Sequence, residues 1–290
     1  MKEDFKDFIE ASGLLEYDPD TISKIYRKNP KRLFKRLWQT LIPIFAYIIS
    51  VGFDKITGKL KNESQARYRA KQLTALLVEL GPAFVKAGQA LSTRPDIIPV
   101  VLLEELSQLQ DQLPGFSGDK AMELIEKDLD KNINDIFLKI DKDPISAASL
   151  GQVHKAILKD GEVVAVKVQR PGLREQITLD LYIVRNIAIW LKNNIGLIRS
   201  DLVALIDELG KRVFEEMDYI NEAENAEKFR NMHQKNIKIA VPKIYNELTS
   251  RRVLTMEWIE GTKLTNLDDV KKLGIDPDEM IDIGVQCSLE

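Results

Sequence analysis

Two β-type segments near the middle of the chain, joined by a tight-turn signal, constrain the fold most strongly. Val153–Leu158 and Glu162–Val168 are apolar and rich in β-branched residues, and Lys159-Asp160-Gly161 lies between them. Because Asp-Gly readily adopts the positive φ angles of a hairpin turn, the two segments predict adjacent antiparallel strands. Three further strand candidates are Phe137–Ile140, a segment around Ile244, and Arg252–Trp258.

Helical patterns lie on both sides of these strands. Gly81-Pro82 ends one leucine-rich stripe, and a new helix is predicted to begin at Pro82, because proline suits a first helical turn. Further helices are predicted from Leu102 to Leu113, Ser117 to Leu129, Leu173 to Asn194, and Asp201 to Phe229. This order of elements is that of a protein-kinase small lobe. It predicts an α+β fold with an antiparallel sheet of about five strands.

Composition excludes several classes of protein. The single cysteine, Cys287, rules out a disulfide framework and a cysteine-based zinc site. Two histidines, His154 and His233, leave little material for a histidine cluster, so no metal site is predicted. Hydrophobic residues make up 44% of the sequence and the net charge is only −3, which fits a folded core better than disorder.

The small net charge hides a strongly basic segment. Residues 24 to 71 contain thirteen basic and two acidic residues, a local charge of +11, so the remainder carries −14. Apolar residues from Leu33 to Ile49 recur at helical spacing within it, beside Lys35 and Arg36. Such a helix could lie on an anionic lipid surface or pack its apolar side on its own domain, the commoner outcome. Nucleic acid is not predicted as a partner, because no recognised binding motif accompanies the charge.

No membrane span is predicted. The longest apolar run, Leu41–Phe53, contains Pro43 and is shorter than the roughly 20 residues that a span requires. The mixed charges of the first residues also differ from those of a secretory signal peptide.

Lys167 is the first candidate site residue. It ends Val164-Ala165-Val166-Lys167, and in kinases a lysine on this strand contacts the α and β phosphates of ATP and pairs with a helix glutamate. The strand could also simply end in an exposed lysine, which is common.

The segment Ser146–Val153 is rich in small residues and precedes the Lys167 strand, where a kinase has its nucleotide loop. Alanine and serine replace most of the usual glycines there, so a plain tight turn stays open as the alternative.

An acidic segment, Phe214–Asn225, supplies candidate partners for Lys167. If it forms one helix, Asp218 and Glu222 are four residues apart and share a face, while Glu216 lies on a neighbouring row. One glutamate could pair with Lys167, and the other two acidic groups could meet a metal or a second lysine. A solvated acidic face is the alternative.

Together these motifs resemble the UbiB family, the aarF-domain-containing atypical kinases. Lys86-Ala87-Gly88-Gln89 is similar to that family's lysine-x-glycine-glutamine signature. Gln108-Leu-Gln-Asp, the alanine-rich loop, the Lys167 strand with its Gln-Arg-Pro-Gly continuation, and Glu-Met-Asp-Tyr look like further signatures. The resemblance extends from about Arg67 to Glu290.

The resemblance implies a role for each matching residue. Lys167 would hold the phosphates, paired with Glu222. Ala147, Ala148 and Ser149 would form the nucleotide loop, and Met256, Glu257 and Ile259 a hinge that contacts adenine. Lys86 and Gln89 would come from a helix that covers the active site, where Lys86 meets Glu216 and Asp218. The implied cofactors are ATP or ADP, with Mg²⁺ expected for an intact family member.

The family's catalytic loop and metal-binding Asp-Phe-Gly are not found before Glu290. We therefore expect a helical segment (1–64), a helical extension (65–133), a kinase-like small lobe (134–262) and a linker with the start of the next lobe (263–290), without the large catalytic lobe. The expected function is that of an atypical kinase or ATPase linked to isoprenoid-quinone (ubiquinone) synthesis, inactive alone. The alternatives are a non-catalytic nucleotide- or lipid-sensing scaffold and a helical adaptor. The expected location is cytoplasmic and peripheral on the inner face of the membrane, near quinone-pathway proteins and lipids.

Overall fold

The computed structural model describes residues 13–96, 98–110, 114–194, 201–262, 264 and 266–289. Parts of four sequence expectations lie outside these residues: the start of segment 1–64, Asp111 in the glutamine signature, Leu113 as a helix marker, and the terminal Glu290. The strands are β1 (Phe137–Ile140), β2 (Ser146–Ala147), β3 (Gly151–Leu158), β4 (Val163–Gln169) and β5 (Val253–Glu257).

The helices are α1 (Pro19–Arg27), α2 (Pro30–Ile56), α3 (Glu63–Leu80), α4 (Pro82–Ser92), α5 (Val100–Ser107), α6 (Gly118–Leu129), α7 (Ile133–Ile136), α8 (Leu173–Asn194), α9 (Leu202–Glu216), α10 (Tyr219–Met232), α11 (Leu267–Lys272) and α12 (Pro277–Leu289). Short 3₁₀ turns occupy Lys59–Lys61, Gln108–Gln110 and Asn246–Leu248.

The strands form one antiparallel sheet in the order β1-β3-β4-β5, with β2 paired to β3. The predicted hairpin is confirmed: Gly161 in its turn has a φ of +92°, and Val153 lies opposite Lys167. Lys167 in turn lies opposite Leu254 of β5. The α+β fold with a kinase-like small-lobe sheet is therefore confirmed.

The strand predicted around Ile244 is wrong. Ile244 makes only an isolated bridge to Met256, and a 3₁₀ turn begins two residues later. Pro242 precedes it and has no N–H to donate to a ladder, which limits extension of a strand on that side.

The single helix predicted from Asp201 to Phe229 is also wrong, because α9 and α10 are separate helices. Asp218 caps α10, and its carboxylate accepts a hydrogen bond from the N–H of Ile220 at 3.1 Å. Aspartate favours this capping position because its side chain satisfies an otherwise unpaired N–H group. Asp218 and Glu222 therefore do not share the face of one continuous helix.

Helix α2 is longer than its apolar run suggested, since it continues through Pro43 for 27 residues. An 18-residue window of this helix has a mean hydropathy of 1.4, so by length and composition alone the helix could cross a membrane. The sequence argument that excluded a span on length is therefore wrong, although one such helix is weak evidence for a span.

Helix α2 turns its polar side toward the protein. Thr40 and Asp54 are buried, and Asp54 accepts a hydrogen bond from Arg69 of α3 at 2.6 Å. Its apolar side is exposed: Phe34 is 62%, Ile49 70% and Ile56 87% accessible. The core-packing interpretation of this helix is not supported.

Two hydrophobic clusters hold the sheet and the helices together. One lies between α6 and the sheet and includes Ile125, Val164 and Val253. The other joins α1 to α8 and α9 through Tyr26, Ile177 and other buried residues. The four sequence-based segment boundaries stay a prediction, although α1 from the first segment packs on helices of the third.

Candidate active site

Lys167 and Glu222 form the centre of the candidate site. Lys167 lies on β4, held between Val153 and Leu254, while Glu222 lies in the first turn of α10. The Lys167 Nζ atom donates to both Glu222 carboxylate oxygens at 2.7 Å. The lysine side chain is 24% exposed and the glutamate 41%, so the pair faces an open cleft. The structure thus brings together the two residues that the kinase pattern paired.

The buried Tyr219 ring packs beside this pair. The Nζ atom of Lys167 lies 4.6 Å from the centre of the Tyr219 ring, within range of a cation–π contact. Tyr219 is fully buried and burial raises the pKa of its hydroxyl. A Cβ atom on Gly151 would lie only 2.7 Å from that hydroxyl, so glycine is needed there for close approach. No site role was predicted for Tyr219 from the sequence, although it belongs to the Glu-Met-Asp-Tyr segment that resembles a family signature.

Lys86 of α4 forms an ion pair with Glu216, the last residue of α9. The pair links the helix that carries the lysine-x-glycine-glutamine motif to the edge of the cleft. Asp218, the second partner expected for Lys86, instead caps α10 and lies 3.7 Å from Arg251. Its capping role turns the carboxylate toward the N-terminus of α10.

Gln89 does not contact the cleft residues. Its Nε2 atom donates to the carbonyl of Leu109 at 2.9 Å, which fastens α4 to the turn after α5. Gly88 supports the same packing, since a Cβ there would lie within 3 Å of Leu109 and Leu77 side-chain atoms. The predicted close helix approach is present, but it is made to α3 and α5.

The alanine-rich loop forms a tight turn that links β2 to β3. Ala147 pairs with Gln152 in the sheet, and the Ala148 N–H donates to the carbonyl of Gly151 at 2.8 Å. Ser149 is buried and lines a cavity of about 240 Å³ together with Pro82 and Val85 of α4. Helix α4 therefore lies close to this loop. A nucleotide role for Ala147, Ala148 and Ser149 stays a prediction.

The predicted hinge residues lie at the end of β5. Met256 lies between Ala165 and Ile244, and the Glu257 N–H already donates to the carbonyl of Lys243 at 2.8 Å. Ile259 is exposed beyond the strand. Of the three, Ile259 is the one whose backbone lies outside the strand pairing, and an adenine contact stays a prediction.

The cleft around Lys167 has a volume of about 730 Å³ and acidic walls. Glu215, Glu216, Glu222 and Glu224 line it, and the basic residues on its walls are Lys167, Arg212 and Lys228. Glu222 is paired with Lys167, and Glu216 with Lys86. Within the described ranges, no group of three or more His, Cys, Asp or Glu side chains is placed to hold a metal ion.

Residues 108–290 match the ABC1 atypical kinase-like domain. An uncharacterized protein of Synechocystis sp. is 49% identical across 94% of this chain and 40% of its own length. Protein ACTIVITY OF BC1 COMPLEX KINASE 3, chloroplastic, of Arabidopsis thaliana is 41% identical across 94% of this chain and 38% of its own length. An aarF domain-containing protein kinase of Arabidopsis thaliana, also chloroplastic, is 44% identical across 96% of this chain and 39% of its own length.

A solved structure of Rv3197 with erythromycin from Mycobacterium tuberculosis is 31% identical, with a TM-score of 0.47, and covers 73% of this chain and 52% of that one. The chain spans less than half the length of the curated relatives described above, between 38% and 40% of each.

Proposed function

The chain belongs to the ABC1 atypical kinase-like family, and from that premise we propose that it binds ATP or ADP in the cleft beside Lys167. Lys167 would neutralise the α and β phosphates, and Glu222 would hold the ammonium group in place. Family membership supports nucleotide binding in general; the choice of ATP or ADP and the residue roles are the proposal.

The observation that carries the proposal is the geometry of the Lys167–Glu222 pair. Two equal contacts of 2.7 Å fix the ammonium group from one side, and Tyr219 supports it from another. The partial exposure of the pair leaves room for a phosphate oxygen. In a cleft partly shielded from water, such a cation–anion contact is stronger than at an open surface.

Calorimetric titration with ADP and with ATP tests the proposal. The Lys167→Ala chain should bind both nucleotides at least about tenfold more weakly, because a hydrogen bond to a charged group contributes about 1.5–3 kcal/mol. Lys139→Ala is the matched control, since Lys139 lies on β1 of the same sheet and pairs with Asp141 at the surface. Equal affinities for all three chains would remove Lys167 from the site.

We further propose that phosphoryl transfer requires residues beyond those of this chain. The chain matches only 38–40% of the length of the curated relatives described above, which supports this view. In this proposal, Mg²⁺ ligands and the residue that positions the acceptor come from the portion present in the longer relatives.

The proposed link to isoprenoid-quinone synthesis rests on family membership. Its test is the quinone content of cells that lack the gene, with and without a Lys167→Ala copy.

A second function, docking to an anionic lipid surface, is favoured by the exposed apolar side of α2. Phe34, Trp38, Ile42, Phe45 and Ile49 lie three or four residues apart and are all exposed. Lys31 and Lys35 flank this side near its start, and Lys55 and Lys59 are exposed near its end. Apolar side chains framed by lysines suit a helix that lies in the headgroup region, so the proposed position is peripheral.

Co-sedimentation with vesicles of phosphatidylcholine and phosphatidylglycerol tests this docking. Replacing Phe34, Trp38 and Phe45 by serine should abolish binding and leave stability within about 0.5 kcal/mol per site, because the side chains are exposed. Serine at Trp190 and Leu138, which are equally exposed on other elements, is the control. Unchanged sedimentation of the α2 variant would exclude this surface, leaving the helical adaptor as the alternative.

A further inference from the structure

Another cavity, separate from the cleft, has five basic residues and one acidic residue among the eleven that line it. Its volume is about 420 Å³, and it lies where the end of β4, the start of α8 and the turn before β5 meet α6. The charged residues that line it are Lys127, Asp128, Arg170, Arg174, Arg251 and Arg252. It shares no lining residue with the cleft around Lys167.

Asp128, the one acidic residue that lines this cavity, is neutralised by an ion pair with Arg252. Asp128 accepts hydrogen bonds from the Arg252 Nε atom at 3.0 and 3.1 Å and from the Ser250 hydroxyl at 3.0 Å. Arg252 and Asp128 therefore cancel each other, and the remaining lining residues give the cavity an excess of positive charge. Such an excess attracts anions and is stronger in a concave, partly shielded site.

Arg170 lines both this cavity and the cavity of about 240 Å³ beside Ser149. Its guanidinium donates to the carbonyls of Ala148 and Pro114. These bonds satisfy N–H groups but supply no negative charge, and burial lowers the pKa of the side chain. A bound anion would offset the cost of burying this cation.

Lys127 and Arg251 are positioned to complete an anion site. Within the described part of the chain, no carboxylate forms an ion pair with Lys127 or Arg170, and Arg251 has only the distant Asp218 at 3.7 Å. Both side chains are exposed and can move toward a ligand. The first turn of α8, which begins at Leu173, also borders the cavity, and the N-terminus of a 22-residue helix favours negative charge.

We propose that this cavity binds a phosphate-bearing small molecule through Arg170, Lys127 and Arg251. Its volume is that of a ligand pocket, large enough for a phosphate ester or a diphosphate rather than a single ion. Arginine suits this role because its planar group can donate two parallel hydrogen bonds to a phosphate. The phosphate group is the feature recognised, whether it is carried by a soluble metabolite or a lipid headgroup.

The site also connects to the helix that carries Glu222. The Tyr219 N–H donates to the carbonyl of Arg251 at 3.2 Å, and the Arg251 side chain faces Asp218, the cap of α10. A ligand that draws the Arg251 side chain away from Asp218 would act at the start of α10, one turn before Glu222.

Calorimetric titration of the full chain with inorganic pyrophosphate and with glycerol 3-phosphate tests the proposal. The chain carries Lys167→Ala so that the candidate nucleotide cleft does not contribute. Adding Lys127→Gln and Arg251→Gln together should weaken binding at least about tenfold, because each removes a charge-assisted hydrogen bond. Tighter binding of pyrophosphate would identify a diphosphate ligand, and tighter binding of glycerol 3-phosphate a phosphate monoester such as that of a simple lipid headgroup.

Lys120→Gln is the matched control, since Lys120 is an exposed lysine on the same helix as Lys127 but does not line the cavity. Circular dichroism and thermal unfolding verify that each variant is folded, and Arg251→Lys should recover part of the affinity. Absence of binding of either ligand to the chain, or equal binding by the double variant and the control, would overturn the proposal.

Discussion

At the scale of single residues, Arg36 shows that a residue in a basic segment can belong to the interior of the protein instead of its surface. In the sequence it is one of several basic residues on a candidate lipid-binding helix. In the structure its guanidinium donates to both carboxylate oxygens of Asp180, at 2.6 and 2.8 Å, and to the carbonyl of Leu80. Asp180 is completely buried in α8. Arg36 is therefore part of the internal packing, and Lys31 and Lys35 remain as exposed cations on that helix.

We predict that Arg36→Gln destabilises the chain by about 3–5 kcal/mol, because it leaves a buried carboxylate without its cation. Lys35→Gln, one residue away and exposed, should change stability by less than about 0.5 kcal/mol. Burial raises the pKa of Asp180, so the variant should recover part of its stability as the pH falls and the carboxyl becomes neutral. Urea unfolding at two pH values measures both effects, and equal midpoints for the two variants would contradict the assignment.

His154 has a polar environment that fixes its neutral form. The carbonyl of Asp141 can only accept, so His154 Nδ1–H donates to it at 2.8 Å, and Nε2 accepts from the Gln152 amide at 3.0 Å. The Gln152 amide cannot easily reverse, because its oxygen accepts from the Phe116 N–H at 2.8 Å. Burial lowers the pKa of His154 from its usual 6.5.

The sign of the resulting pH dependence follows from that lowered pKa. In the unfolded chain the histidine gains a proton below about pH 6.5, whereas the folded chain resists it, so stability present above this pH is lost on acidification. We predict that His154→Gln flattens the fall in stability between neutral pH and the pKa of the folded protein. Thermal unfolding across this range measures the slope, and an unchanged slope would show that another group titrates.

At the scale of elements, helix α4 carries the lysine-x-glycine-glutamine motif and contacts the edge of the cleft through Lys86. The strand position of Lys167 could be predicted from the β-branched segment that it ends, whereas Glu222 was named as its partner through the family resemblance. The same resemblance gave Asp218 as a second partner of Lys86, but Asp218 caps α10, and residue spacing does not distinguish a helix interior from an N-cap. Spacing also cannot tell which neighbouring helix an amide will reach. The contact of Lys86 with Glu216 was predicted from the family resemblance and is present.

We predict that Lys86→Ala raises hydrogen exchange in α4 by about 1.5- to 5-fold, the range expected for losing a partly exposed ion pair of about 0.2–1 kcal/mol. Glu216→Gln should have the same effect, and the double variant should add little to either, because both remove one interaction. Lys120→Ala on α6 is the control. If the two single effects add fully, the pair does not hold α4 at the cleft.

At the scale of the whole molecule, strands β1, β3, β4 and β5 and most helices could be predicted because their hydrophobic periods are local properties of the sequence. The outward apolar side of α2 could not, since the same amphipathic pattern fits a helix facing a core or a lipid surface. Only the packing partners, which include Arg69, Asp180 and Leu80, decide which side faces inward. The basic cavity likewise combines residues from α6, β4, α8 and the turn before β5, which no sequence spacing relates.

We also predict that the chain binds ATP without hydrolysing it, because the Mg²⁺ ligands and the residue that positions the acceptor are proposed to lie in the remainder of the longer relatives. Phosphate release from the purified chain should equal that of the Lys167→Ala variant. If hydrolysis is well above background and persists in the Lys167→Ala variant, the proposal that phosphoryl transfer requires residues outside this chain would be contradicted.

The most direct test of the central claim compares ADP with adenosine as ligands for the chain and for Lys167→Ala. If Lys167 contacts phosphates, the substitution should weaken ADP binding by about tenfold or more and leave adenosine binding unchanged. An equal loss for both ligands, or no loss for ADP, would contradict the assignment of Lys167 as the phosphate-binding residue.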